Sequence, residues 1–503
     1  MRASPSLLLA AAVILLMSVA AVGTPADADL WGHVAFGRDI VTTGAILQPD
    51  RYSFTTDRPW VNHEWLSELA FFGAYRWGGS AGLILLKTAT IASLCGLLWW
   101  RLRRGGVQSG VGLALIGVAF AGTYWRMHTV RPQLFSVLFF AILLIVMTEA
   151  DAGRRRSLLV VPPLLALWVN LHGGWIVGLG VFSFWMAVRI LGWGSHVSRP
   201  RLIRERIGLA IVGLAAFSAT LVNPYGVQIW TFLAETVRFG RPDIQDWGSI
   251  LTSPLQLGVP WALTVAVAVI ALTRSGVPSR RDIGVFFILA GLAVASFRVS
   301  RIDAFFALAV VILLAPRFAG AGAAESRRAA PRGSRLGMIA VTGFALAAMI
   351  VPAAPIIAAH AGCVTIGGPW VPDADAGRFI AQNRLKGRML TWFDWGEYAI
   401  WHFGPDLRVS MDGRRETVYT DATIQAHWRF YAADETSLAY LRTLDPDFIW
   451  LPARLPVISR IADAGWTPIF TGPISVVFAR AGAGPFQPVE GPSTTAMRCF
   501  PGP

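Results

Sequence analysis

Charge is what this chain has least of. Charged residues make up 15% of it and hydrophobic residues 54%, whereas soluble globular proteins carry about 25% charged residues. With a mean hydropathy of +0.53, an ordinary soluble domain is excluded and a membrane-embedded chain is left. Lysine is almost missing, Lys87 and Lys386 standing beside many arginines. No Gly-rich phosphate loop, Cys-x-x-Cys pair or nucleophile-elbow serine occurs, so ATP-driven transport, redox chemistry and serine hydrolysis lack their usual groups. The net charge of +14 does not indicate a nucleic-acid partner. Its arginines are split into short clusters between apolar runs, whereas a nucleic-acid binder gathers them on one soluble face.

Those clusters set the topology. The first apolar run, Leu7 to Val22, follows Arg2 and reads as a retained helix rather than a cleaved signal peptide. Further runs begin near residues 80, 108, 133, 157, 174, 207, 255, 283, 302 and 336. One set of connections carries RLRR (Arg101 to Arg104), RRR (Arg154 to Arg156), RPRLIRER (Arg199 to Arg206), RSGVPSRR (Arg274 to Arg281) and RRAAPRGSR (Arg327 to Arg335). Placing that set in the cytoplasm predicts about eleven spans, with the N-terminus inside and the C-terminus outside. The runs 133–148 and 157–171 are shorter than the ~20 residues of a straight crossing, so they are expected to be tilted or partly buried.

From about His360 the pattern changes. Strand-like RMLTWF, LRVSMD, DFIWLP, TPIF and ISVVFA alternate with helical DADAGRFIAQN, TSLAYLRTL and LPVISRIADAG, which predicts a small α/β domain. The expected division is a membrane domain over 1–358 with a first outer loop at 25–79, an extracytoplasmic α/β domain over 360–480, and a flexible tail over 481–503. Cys95 falls in a predicted span, and Cys363 and Cys499 bracket the last domain. On the outer side these two can form a disulfide or remain two thiols.

The connections of the other set hold the unusual polar residues. DADLWGH (Asp27 to His33) and WVNHEWLSE (Trp60 to Glu68) lie in the first, and RMHTVRP (Arg126 to Pro132) in the second. NLHGG (Asn170 to Gly174), NPYG (Asn223 to Gly226) running on to DIQDWG, and RVSRID (Arg298 to Asp303) complete the set. Polar groups near membrane depth are costly and tend to be functional, and together these are expected to line one outward cavity. Each has a plainer reading too. Asp27 and Asp29 suit a helix start as caps, and Trp31, Trp60, Trp65 and Trp125 suit an interfacial belt. NLHGG and NPYG suit tight turns, His172 a packed polar position, and Arg298 and Arg301 headgroup contacts. Asp27 and Asp29, in D-x-D spacing, could also ligate a hard cation such as Mg²⁺ or Mn²⁺. No recognised zinc spacing is present.

An acidic pair after the first membrane helix, in a first outer loop with amphipathic helices, resembles the GT-C glycosyltransferase superfamily. More closely, DADLWGHVAFGRDIVTTGAI, PWVNHEWLSELAF, RPQLFS, WVNLHGG, NPYG and the later FDWGEYAIW and MDGR look like a bacterial, GT-C-like group of membrane proteins. The chain has Gly32 where that pattern often has an aromatic residue, and RVSRID where Arg-Asn is usual. The resemblance implies a multi-pass protein of the bacterial inner membrane that takes a sugar from a polyprenyl-phosphate donor. The acceptor on the outer face would be an envelope lipid, glycan or protein. It implies an inverting transfer with Asp29 as general base and Asp27 as its partner or a metal ligand. Arg126, Arg131, Arg298 and Arg301 would meet the phosphate. His33, His63 and Glu64 would shape the sugar pocket, with His172, Asn223 and Tyr225 as further substrate contacts. Asp394, Trp395, Glu397, Asp412, Gly413 and Arg414 would either receive the acceptor or form a structural lid. The competing readings are a lipid-linked sugar transporter or flippase, and a non-catalytic envelope assembly factor.

Overall fold

The structure, a computed structural model, describes residues 5–46, 49–191, 199–238, 247–274, 282–319, 358–489 and 497–502. The expected span over 336–358, the arginines of 327–335, residues 275–281 and Asp243 to Asp246 lie outside these, apart from residue 358 itself. The chain divides into two compact units: 1–23 with 85–361, and 24–84 with 362–503.

The first unit is helical. It contains α1 (Pro5–Ala20), the later turns of α3 (Trp65–Arg104), α4 (Ser109–Met127), α5 (Gln133–Asp151), α6 (Val161–Trp168), α7 (Trp175–Ile190) and α8 (Arg199–Ala219). They are followed by α9 (Gln228–Arg238), α10 (Leu255–Thr273), α11 (Asp282–Arg298) and α12 (Asp303–Leu313). Among the described residues four helices, α3, α4, α5 and α10, are long and apolar enough to cross a membrane. The run 157–171 becomes a 3₁₀ turn over Arg155–Val160 followed by the short α6, which starts at a Pro pair. The two prolines lack N–H donors, which the first turn of a helix does not need. The sequence of α12 is apolar all round and its residues from Asp303 to Ile312 are buried, as such a helix must be. At Gly122 of α4 a Cβ would come 2.6 Å from that of Ala307, so a glycine lets α4 approach α12 closely.

Hydrogen bonds and ion pairs join the connections of this unit in two groups. Arg104 and Arg154 both reach Glu149, and Arg155 reaches Glu205 at 2.5 Å, linking RLRR, RRR and RPRLIRER. Arg126 of the RMH segment pairs with Asp303 of RVSRID, and Asn170 of NLHGG donates to the carbonyl of Val222 beside NPYG. In these pairs arginine-rich connections meet arginine-rich ones and polar connections meet polar ones.

The second unit joins two distant pieces of chain. Its main sheet has the order β4 (Leu407–Val409), β3 (Gly387–Thr391), β5 (Phe448–Pro452), β7 (Ser475–Arg480), β6 (Trp466–Thr471). β3 pairs parallel with β4 and β5, and β7 antiparallel with β5 and β6. β5 and β7 are buried almost throughout, and Ile449, Leu451, Val476 and Phe478 pack against Phe430, Tyr431, Leu441 and Ile461. β6 is the exposed edge and carries Pro468 at a register shift, where a missing N–H costs least. A smaller sheet sets β1 (Thr24–Pro25) parallel to β2 (Val364–Ile366), which runs antiparallel to β8 (Arg498–Cys499). Residues 52–57 add backbone bonds to Val409 and Val418. A disulfide joins Cys363 to Cys499. The last described residues of the expected flexible tail are therefore held in place.

Candidate active site

α2 (Leu30–Thr43) begins at Asp29, whose side chain makes no capping hydrogen bond to it. The carboxylate of Asp27 accepts the N–H of Asp29 at 3.1 Å, so local capping falls to Asp27. Asp29 lies over Gly413. A Cβ there would sit 2.2 Å from Asp29 Oδ1 and 2.9 Å from Glu397 Oε1. Glu397 belongs to the helix Gly396–Phe403, which FDWGEYAIW builds. Its other oxygen, Oε2, accepts the N–H of Gly32 at 3.1 Å, and a Cβ on Gly32 would fall 2.1 Å from it. The departure at Gly32 is thereby explained: an aromatic residue there would displace the Glu397 carboxyl. Glycines at 32 and 413 thus bring the acids of DADLWGH and FDWGEY together.

Electrostatics differ among these acids. Burial, together with the charges of Asp29 and Asp412, pushes the Glu397 pKa well above the ordinary glutamate range. Burial and the charges of Asp29 and Asp27 raise Asp394 to about 6 against the bond from Trp392 Nε1. Burial opposes the charging of His33, but Glu68, Glu64 and Asp29 outweigh it and the pKa is raised. His33 Nδ1 is 3.9 Å from Glu68 Oε1, and Glu68 accepts from Asn62 Nδ2 at 2.6 Å. His63 lies 3.7 Å from Glu64.

MDGR does something different. Arg414 is buried, bonds both oxygens of Asp412 and both of Asp50, and lies over the rings of Phe36, Tyr52 and Trp60. Tyr419 also donates to Asp412. These partners hold Asp412 and Arg414 as a structural latch. Trp60, expected in an interfacial belt, is buried beneath Arg414. Trp31, expected there too, is buried and donates to the carbonyl of Pro501 at 2.7 Å. Asp50 carried no motif signal, since a lone acid in a polar loop reads as solvated.

The remaining predicted residues lie in the helical unit. Arg126 is buried and bound by both oxygens of Asp303 at 3.0 and 3.3 Å. His172 Nδ1 accepts the Gly174 N–H at 3.0 Å and meets Ser136 Oγ at 2.7 Å. Asn223 folds NPYG as a turn, accepting the N–H of Tyr225 and donating to the carbonyls of Thr220 and Gly226. Arg298 is exposed, and Arg131 and Arg301 are half-buried. Lys87, which no motif marked, is fully buried and donates to the carbonyls of His128 and Gly23. Among the described residues no group of three or more His, Cys, Asp or Glu is arranged to hold a metal ion.

No protein-family model matches the chain, and no curated protein does. Solved structures do. ArnT from Cupriavidus metallidurans bound to undecaprenyl phosphate matches at TM-score 0.56 and 12% identity, over 95% of this chain and 98% of that one. The Archaeoglobus fulgidus oligosaccharyltransferase, tethered with an acceptor peptide, matches at TM-score 0.53 and 11% identity, over 88% and 69%. The mycobacterial arabinofuranosyltransferase AftD matches at TM-score 0.52 and 15% identity, over 95% of this chain but 42% of that one. These neighbours are GT-C superfamily glycosyltransferases. The chain shares the GT-C fold of these neighbours.

Proposed function

We propose that this protein is an integral-membrane glycosyltransferase that moves a sugar from a polyprenyl-phosphate donor to an envelope acceptor, with inversion. The observation that carries this reading is the meeting of Asp29 and Glu397 over Gly413, within a fold shared with an undecaprenyl-phosphate-binding transferase. Asp29 acts as the general base. It takes the proton of the acceptor hydroxyl as that oxygen bonds to the anomeric carbon, while the bond from carbon to the phosphate oxygen breaks and polyprenyl phosphate leaves. The leaving phosphate needs positive charge. Arg126, Arg131, Arg298 and Arg301 are the groups proposed to supply it. Asp27 and Asp29 are the carboxylates that would ligate a Mg²⁺ or Mn²⁺ ion, which would supply positive charge beside the phosphate. The Cys363–Cys499 bridge supports an oxidising, extracytoplasmic setting for the second unit.

The test is transfer by the purified protein from a panel of undecaprenyl-phosphate sugars to envelope acceptors, wild type against Asp29→Asn. Loss of a positioned base is expected to cost roughly a hundredfold or more. Equal product from both would remove Asp29 as the base. Lipid-linked sugar flux without transfer would favour a flippase.

A further inference from the structure

The two oxygens of Glu397 have different neighbours. Oε2 accepts the Gly32 N–H, so it faces a donor and has no use for a proton. Oε1 shares the space over Gly413 with Asp29 Oδ1. A proton on Glu397 therefore belongs on Oε1, aimed at the Asp29 carboxylate. The alternative, two ionised carboxylates side by side at a buried position, carries a large repulsion. Asp412 cannot take this role, because Arg414 and Tyr419 already engage both its oxygens. Burial among negative neighbours favours the neutral form of Glu397 as well.

We propose that Glu397 is a neutral acid whose O–H donates to Asp29, making it a positioning residue that fixes the direction of the base. The inference rests on the reading of Asp29 as the base. Glu397 neither gives nor takes a proton during transfer. Its hydrogen bond holds one oxygen of Asp29 and so sets the orientation of the carboxylate. Gly32 and Gly413 are the vacancies that make the arrangement possible.

The test compares wild type, Glu397→Gln, Glu397→Ala and Asp29→Asn of the full chain in lipid nanodiscs, each checked for folding by its melting temperature. Glu397→Gln preserves the geometry, since its amide donates to Asp29 and its carbonyl accepts from Gly32. It is expected to retain transfer within a few fold. Glu397→Ala is expected to lower kcat roughly ten- to a hundredfold, with KM little changed, as one charge-assisted hydrogen bond is lost. A second readout needs no substrate. The infrared carbonyl stretch of a protonated carboxyl at neutral pH should vanish in Glu397→Gln and persist in Asp29→Asn. The proposal is overturned if folded Glu397→Gln is as inactive as Glu397→Ala, if Glu397→Ala matches wild type, or if the infrared band is unchanged in Glu397→Gln. Full activity of Asp29→Asn sinks the base assignment instead, so the two failures are told apart.

Discussion

At the scale of single residues, absent side chains shape the candidate site. Gly32 and Gly413 each lie where a Cβ would run into a carboxyl group. The obstructing atoms at Gly413 are the ends of Asp29 and Glu397, which can swing aside, whereas at Gly396 they include the backbone carbonyl of Met411 at 2.1 Å. The two glycines should therefore behave differently. Gly413→Ala is expected to fold with a melting temperature near wild type yet lose most transfer activity, because the base is displaced by far more than the ~0.5 Å tolerated in such sites. Gly396→Ala is expected to destabilise the protein. Both are read by comparing melting curves with product formation, and normal activity in folded Gly413→Ala would contradict the site.

At the scale of elements, the latch of Asp50, Asp412 and Arg414 fastens the loop after α2 to the segment after β4. Truncating a buried ion pair leaves an uncompensated charge and typically costs about 3–5 kcal/mol. Arg414→Met strands two carboxylates and is expected to destabilise the unit by about that much, with Trp60 fluorescence reporting the unfolding. Asp50 adds a pH dependence. Burial works against its ionisation, but the charge and hydrogen bonds of Arg414 prevail and hold it below the usual carboxylate range. Its contribution is complete above the unfolded value of about 3.9 and is lost as pH falls through the lower folded value. Wild type should thus show an acid-induced loss of stability below about pH 4 that is weaker in Arg414→Met. Identical acid limbs would show that Asp50 draws nothing from the pair.

At the scale of the whole molecule, the unit holding the candidate site is discontinuous in sequence. Residues 24–84 and 362–503 fold together, and the Cys363–Cys499 bridge, 136 residues apart, holds the end of the chain. The carbonyls of Phe500 and Pro501 beside it accept from Ser80, Trp31 and His402. By the loop-entropy argument a closure of this length contributes on the order of 2–5 kcal/mol. Cys499→Ala, or reduction of the wild type, is expected to lower the melting temperature. Unchanged melting after reduction, with thiol titration confirming the opened bridge, would refute that contribution.

Periodicity and charge alone determined much here. The apolar runs mark the helices, the arginine clusters mark which connections belong together, and the five short alternating runs mark the strands β3 to β7. Asp29 could be singled out by its place after the first helix, and Glu397 by its motif. These properties are local, because a helix or strand hides one face and a charge avoids the bilayer wherever the rest of the chain goes. What only the tertiary structure decided is which of those acids act together. That Asp50 and Asp412 share Arg414, that Trp31 and Trp60 are buried, and that Glu397 meets Asp29 over Gly413 depend on contacts between segments more than 300 residues apart. Such contacts leave no spacing in the sequence, since they arise from packing and from the room two glycines leave.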